Sequence, residues 1–381
     1  MASSVSAFIT SNGWMKAAYG ESLRALLSEK YQPWYLIDFS GFKVFDTATV
    51  DVNILSVIKT NTKNKAKACS IKRNEFEINK LSDYILTHAV ITEFNSSESW
   101  SILTDMERSI KAKVEAVGTP LKEWNISINY GIKTGFNDAF IIDSAKREQI
   151  LSNCQTEEER IRTEAIIRPI LRGRDIKRYG YDFADQYIIA TFPSKHYNID
   201  DYQALKTHLL GFGMERLEQT GKEYYLDGEK VKARKKTNNK WFETQDSIGY
   251  WDDLNKTKIV WIELSDESKF AICDDYIPLN TVFFLTGQHL SHILGLLNSK
   301  LIHWYFKNCI GTSSGVGTNR WLKYTVELLP LLSYDSSIET LVKMRLASDT
   351  NSESLEIQID KVICAKYGLT DDETEFILGN L

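Results

Sequence analysis

The stretch Tyr130-Gly-Ile-Lys-Thr-Gly-Phe-Asn-Asp-Ala-Phe-Ile-Ile142 decides how the chain is read. Leu171-Arg-Gly-Arg-Asp-Ile-Lys-Arg-Tyr179 repeats its character further along. Each sets glycines and cations beside an apolar run. Gly131 and Gly135 permit tight turns and a close approach of backbone to a ligand. Lys133, Arg172, Arg174, Lys177 and Arg178 carry charge that suits phosphate. Asn137 and the arginines offer hydrogen-bonding groups that suit base edges. The same composition also serves two polar turns joining strands. The order of the surrounding elements has to decide between the two.

Length and composition set the frame. A chain of 381 residues with 43% hydrophobic and 12% aromatic residues has material for two cored domains. No apolar run approaches the ~18 residues of a membrane span, and Met1-Ala-Ser-Ser lacks the layout of a secretory leader. The five cysteines are scattered and never in C-x-x-C spacing, which points to reduced thiols, a cytoplasmic setting and no zinc site. Net charge is −5, yet it is unevenly placed. From Leu331 to Leu381 ten acids face four bases, so the rest of the chain carries +1. Lys222–Lys240 holds seven bases against three acids. A basic loop on a near-neutral body suits nucleic acid, and also a plain solvated loop.

Taken in order, Ala7–Thr10 reads as a short buried strand and Glu21–Tyr31 as a helix with Leu23, Leu26 and Leu27 on one face. Trp34–Phe39 and Asn53–Lys59 are strands, with a turn over Gly41–Ala48 between them, and Cys69–Arg73 is a further strand. Helices follow at Asn79–His88 and Asp105–Val117. This succession is the closing part of an open α/β sheet. Past Pro120, short strands mix with helices. Phe140–Asp143, Tyr187–Thr191, Lys258–Leu264 and Val282–Leu285 are strands, and Thr156–Ile167 and Asp200–Leu210 are helices. His289–Phe306 reads as one amphipathic helix, Gly311–Gly317 as a flexible loop, and helices near Ser336–Ala347, Ser354–Tyr367 and Asp371–Leu378 make a tail.

That order resembles the C-terminal half of TaqI-like gamma-class adenine DNA methyltransferases, most of all the branch fused into type IIG restriction–modification enzymes. Phe8-Ile-Thr-Ser-Asn-Gly-Trp14 with Tyr19-Gly-Glu-Ser-Leu-Arg24 looks like the late strand and helix of the catalytic domain. Leu36-Ile-Asp-Phe-Ser-Gly-Phe-Lys-Val-Phe-Asp-Thr-Ala48 and Val52-Asn-Ile-Leu55 look like its last strands and their loop. Gly131–Phe140 and Leu171–Lys177 look like the opening of the target recognition domain. Asn239-Lys-Trp-Phe-Glu243, Lys258-Ile-Val-Trp261, Leu296-Leu-Asn-Ser-Lys300 and Leu328-Leu-Pro330 fit its later part. The resemblance implies an α/β fragment (the end of a methyltransferase-type sheet) over residues 1–118. An α+β target recognition domain over 119–335 and an acidic helical tail over 336–381 would follow.

The departures carry as much weight. The family binds S-adenosylmethionine through a glycine-rich turn after its first strand and holds the extruded adenine with an Asn/Asp-Pro-Pro-Tyr/Phe motif. All six prolines here stand alone, and neither Gly211-Phe-Gly213 nor Gly315-Val-Gly317 follows a first strand. The chain is therefore expected to begin inside the catalytic domain, to hold no catalytic or metal-ligating residues of its own, and to bind no cofactor. S-adenosylmethionine belongs to the full-length enzyme on this reading. The nuclease of type IIG enzymes precedes the methyltransferase. Asp253 with Glu267-Ser-Lys269 matches a carboxylate–Glu-x-Lys pattern no better than chance placement would.

The expected function is sequence-specific recognition of double-stranded DNA for an adenine-N6 methyltransferase, with the chain alone inactive. The DNA-binding candidates are Lys133, Asn137, Arg172, Arg174, Arg178, Lys235, Lys236, Asn238 and Arg320. The resemblance adds Phe45 as the aromatic that stacks on the extruded base in the full-length enzyme, because a base leaving the helix loses its stacking partners. A core phenylalanine is the alternative. A second reading makes the chain a specificity subunit that acts only when docked to a separate catalytic subunit.

Overall fold

A computed structural model describes residues 4–40, 42–45, 50–59, 65–71, 78–226, 228–312, 318–348 and 352–379. Most of the loop expected at Gly311–Gly317 and much of the turn at Gly41–Ala48 lie outside the described residues. By packing, the chain forms two compact units. One holds 1–125, 263–269 and 291–381; the other holds 126–262 and 270–290.

The first unit is built on a five-stranded mixed sheet. Its strands are β1 (Val5–Ser11), β2 (Gln32–Asp38), β3 (Val52–Ile58), β4 (Ala66–Ser70) and β5 (Val90–Thr92), in the order β1-β3-β2-β4-β5. β2 runs parallel to β4, and the other pairings are antiparallel. Alternation along β2 explains the two-sided core. Leu36 packs with Trp14, Leu27, Leu55, Phe94 and Trp100, whereas Ile37 packs with Val52, Cys69, Ile71 and Tyr84. A sheet covered on both faces is what an α/β arrangement requires. β1 corrects an expectation: it is an edge strand, and every residue in it is exposed. Its apolar residues, Phe8 among them, read locally like those of a buried strand.

Helix 105–117 opens on a capping box. Thr104 Oγ1 accepts from Glu107 N–H and Glu107 accepts from Thr104 N–H, so two donors at the helix start are satisfied. The tail helices Ser336–Leu346, Ser352–Lys366 and Asp371–Gly379 do not stand apart from this unit. They bury Ile338, Val342, Ile359, Ile363 and Ile377. Lys113 Nζ donates to Glu373 at 2.6 Å, and Tyr367 OH donates to the Pro330 carbonyl at 2.7 Å.

The single helix expected over His289–Phe306 is broken. It runs Leu290–Asn298, stops at Ser299, and resumes over Lys300–Tyr305. Ser299 is extended and caps the second piece, its hydroxyl accepting from Ile302 N–H. Nor is it amphipathic, since His292 through Asn298 are all buried. His292 lies stacked on Trp124 at 6.2 Å instead of facing solvent.

The second unit contains two four-stranded sheets, a short hairpin of Ile176–Lys177 with Gly180–Tyr181, and a separate ribbon. The strands of the two sheets and the ribbon are β6 (Ile126–Tyr130), β7 (Ile141–Asp143), β8 (Ile167–Leu171), β9 (Gln186–Ile189), β10 (Glu223–Leu226), β11 (Glu229–Lys232), β12 (Lys258–Ile262), β13 (Phe270–Cys273), β14 (Ile277–Pro278) and β15 (Val282–Gly287). The sheets run β14-β8-β9-β7 and β13-β12-β15-β6, and β10 pairs with β11 alone. Ile170, Ile188, Val260, Ala271, Val282 and Phe284 bury one shared core. Phe140, Ile142, Ile167 and Ile189 pack with Leu205 and Leu209 of helix Gln203–Leu210 in a second. No helix among the described residues is long and apolar enough to cross a membrane.

Candidate nucleic-acid interface

The two stretches that open the sequence reading meet through one strand. Leu171 pairs with Pro278 of β14, and Ile132 bridges to Leu279, the next residue. Leu279 N–H donates to the Leu171 carbonyl at 3.1 Å, and Ile132 N–H donates to the Pro278 carbonyl at 2.8 Å. Gly131 is required here, because a Cβ would lie 2.1 Å from the Leu279 carbonyl oxygen. Lys133 and Arg172 therefore leave the same strand on its two flanks.

Past Gly131, the chain turns through Gly135, whose φ of +80° favours glycine. Thr134 Oγ1 donates to Asn137 Oδ1 at 2.6 Å and accepts from Phe136 N–H. This turn forms one wall of a cavity of about 540 Å³. Gly135 and Phe136 line it on that side, and Arg216, Gly221 and Lys232–Lys236 line the rest. Five lining residues are cations and none is acidic among the described residues. Arg216 lies with its guanidinium over the Phe136 ring, 4.6 Å from the centroid, which fixes a mobile charge at the rim.

Arg234 is the organising residue. It is 4% exposed, and all three guanidinium nitrogens donate to backbone carbonyls. Nε reaches Leu217 at 2.9 Å, Nη1 reaches Thr134 at 3.0 Å and Glu243 at 2.8 Å, and Nη2 reaches Trp241 at 2.9 Å. Burial holds its pKa down at about 10, against the opposing pull of Glu243. The side chain ties three separate segments to the cavity floor and leaves a positive charge beneath it. Lys232, Lys235 and Lys236 are exposed above.

Of the residues singled out from sequence, Lys235 and Lys236 line the cavity. Lys133 and Asn137 are exposed on the turn that forms its wall. Asn238 is exposed in the strip that follows Lys236. The second stretch does not line the cavity. Arg172 is committed internally: Nε and Nη2 hold Asp175 at 2.7 and 2.8 Å, and Nη1 reaches Gln186 at 3.1 Å. That fork raises the Arg172 pKa and lowers that of Asp175. Arg174 is exposed, and Arg178 lies 5.3 Å from the Tyr179 ring centroid. Arg320 belongs to the other unit, where it forms a 2.6 Å ion pair with Glu263. Asp253 is held by Lys256 and Asn129.

The sequence reading missed Arg216, Lys232 and Arg234 as individual residues, and it missed the ribbon above them. The ribbon had a signal. Leu226-Asp-Gly-Glu229 between alternating residues is the strongest short hairpin pattern.

Phe45, in the first unit, is 45% exposed. The segment leading to it starts from a polar knot. Asn12 Nδ2 donates to Asp38 Oδ1 at 2.9 Å and to Ser40 Oγ at 2.8 Å, and Ser40 Oγ donates to Asp38 Oδ2 at 2.7 Å. Burial pushes the Asp38 carboxyl up against these bonds.

Residues 206–331 match the family model of the TaqI-like C-terminal specificity domain, a span that includes the cavity's cations. Over 97% of its length the chain is 22% identical to the type II methyltransferase M.BstVI of Geobacillus stearothermophilus, covering 65% of that protein. Among solved structures it aligns with the type IIL restriction–modification enzyme MmeI, determined in complex with DNA. The TM-score is 0.57 at 13% identity, over 98% of this chain and 49% of that one. The type IIG restriction endonuclease BpuSI aligns at 0.44 and 9% identity, over 98% of this chain and 46% of that one. Residues 206–331 are thus similar to the TaqI-like C-terminal specificity domain, and the chain as a whole shares its fold with the matching half of MmeI. It spans about two thirds of the curated relative and about half of the solved enzymes.

Proposed function

We propose that this chain reads double-stranded DNA in a sequence-specific way on behalf of a cytoplasmic adenine-N6 methyltransferase of a restriction–modification system. The observation that carries the reading is a cavity with no acidic lining residue among those described, whose five cations all lie in the segment that matches the specificity-domain model. Phosphates fit such a cavity because each neutralised phosphate releases condensed counterions. Arg216, Lys232, Lys235 and Lys236 hold the backbone, and Lys133, Asn137, Asn238 and Arg174 reach outward from the neighbouring turns. Arg172 acts differently from the other candidates, holding Asp175 and thereby the shape of its turn. Phe45 stacks on the extruded base in the full-length enzyme.

S-adenosylmethionine does not fit the turn after β1. The turn after β1 is a 3-10 turn over Asn12–Met15 with Trp14 and Met15 buried, and a Cβ on Gly13 would meet the Tyr19 hydroxyl at 2.3 Å. No nucleoside cradle opens there. On this reading methyl transfer belongs to the full-length enzyme, with S-adenosylmethionine held by residues supplied in the same polypeptide or by a partner subunit.

The test is charge reversal. Lys235→Glu with Lys236→Glu, assayed by fluorescence anisotropy on a labelled duplex, should weaken binding at least tenfold at low salt (order of magnitude from phosphate contacts). Undiminished binding would remove the cavity from the interface.

A further inference from the structure

One feature of the second unit is not accounted for by phosphate binding. β10 and β11 form a ribbon that pairs with no other strand among the described residues. Its register sets Glu223 opposite Lys232, Tyr224 opposite Val231, Tyr225 opposite Lys230 and Leu226 opposite Glu229. Gly228, just before β11, has φ +84°, the left-handed backbone that tight hairpin turns use. Alternation gives the ribbon two unlike faces. Tyr224 and Val231 are half-buried, and Tyr224 OH anchors on Glu218 at 3.0 Å. Glu223, Tyr225, Lys230 and Lys232 are exposed on the other face, with Lys230 Nζ strapped to Glu223 at 2.8 Å.

Tyr225 is 74% exposed, and its hydroxyl makes no hydrogen bond among the described residues. A large aromatic left in water on a charged strand contributes nothing to a core. The ribbon's root is the cavity itself. Ala233 N–H donates to the Lys222 carbonyl at 2.9 Å, Gly221 N–H donates to the Arg234 carbonyl at 2.8 Å, and Gly221 and Lys232 line the cavity. The outward face is therefore continuous with the cationic floor.

We propose that this ribbon enters the major groove of duplex DNA and that Tyr225 contacts base edges there, while Lys232 and the cavity cations hold the flanking phosphates. The major groove of B-DNA, ~12 Å wide, admits a two-stranded ribbon without distortion of the duplex. Tyrosine brings a donor–acceptor hydroxyl for base edges and a ring for a thymine methyl. This assignment rests on the DNA-recognition reading and specifies which element performs it.

The experiment uses the full chain and two mixed-sequence duplexes that differ only in the groove. One is unmodified; in the other every cytosine is replaced by glucosylated 5-hydroxymethylcytosine, which fills the major groove and keeps the phosphates. The parent should bind the modified duplex at least about tenfold more weakly, a loss on the scale of one base contact. Tyr225→Ala, and a variant in which the ribbon is shortened to a Gly-Gly link from Lys222 to Ala233, should bind the two duplexes alike. Circular dichroism confirms that both variants fold. If the parent ignores glucosylation and is displaced by the minor-groove ligand netropsin, the assignment is wrong. Undiminished discrimination in both variants would hand the groove to another element. If the parent binds neither duplex at low salt, the DNA-recognition reading itself fails.

Discussion

Replacing Arg234 with Met tests whether one buried cation builds the cavity. The methionine keeps most of the apolar stem and removes four charged hydrogen bonds to carbonyls of Thr134, Leu217, Trp241 and Glu243. Each such bond contributes ~1.5–3 kcal/mol, or roughly 6–12 kcal/mol for four. Against this stands the cost of burying the charge. A pKa held down at about 10 corresponds to about 3 kcal/mol of lost hydration. That cost is present in full at neutral pH, because it is relieved only as pH rises through the folded pKa. The net loss should be about 3–5 kcal/mol, at the lower end because water can reach some of the freed carbonyls. Two compact units make a single global unfolding energy ill-defined, so hydrogen exchange is the right assay. Protection should fall over 134–140, 214–219 and 241–245 and stay unchanged in the first unit. A loss below about 1 kcal/mol, with protection intact in those segments, would refute the argument that Arg234 ties them together.

Three further outcomes follow from other contacts. Burial alone would raise the Glu373 carboxyl, but Lys113, Ser109 and the Thr370 N–H outweigh it and hold the pKa at about 2. Its contribution, on the order of 3 kcal/mol, is present above the ordinary glutamate pKa and lost as pH falls from there towards 2; acid titration of Glu373→Gln should show a flatter limb, and an unchanged limb would contradict this. Arg174→Ala should lower the salt slope of DNA binding by up to about 0.9, whereas Arg172→Ala should leave the slope alone and lower stability by ~1–3 kcal/mol. Calorimetric titration of S-adenosylmethionine into the chain should show no binding, and micromolar affinity would overturn the account of the turn after β1.

Much of the fold was legible because element order and period survive in the residues. Thr104 through Val117 carried their own capping box and apolar spacing, so that helix begins and ends where the sequence reading placed it. β1 and the helix at 290 were misread for a common reason. Local pattern reports how apolar a segment is, not what covers it. The apolar residues of β1 sit on an exposed edge, while the helix at 290 is buried around its whole circumference and is interrupted where Asn298-Ser299 offers a cap.

The site was only half legible. The basic run at Lys222–Lys240 was visible as charge, but charge counting cannot separate Arg234, turned inward to carbonyls, from Lys235 and Lys236, turned outward. Arg172 shows the converse. It reads as a phosphate ligand until Asp175, three residues on, is seen to occupy its fork. Such i,i+3 pairing across a turn becomes evident only when the turn's dihedrals are known.

The central claim, sequence-specific recognition of duplex DNA, is tested most directly by selecting from a randomised duplex library with the purified full chain. The winning duplex is then titrated with salt. The account predicts enrichment of a defined sequence. Four exposed cations at the cavity, Arg216, Lys232, Lys235 and Lys236, predict a slope of log affinity against log salt of about −3.6, which Lys133 and Arg174 steepen by up to about 0.9 each. Recovery of unenriched duplexes, or a slope near zero, would contradict it.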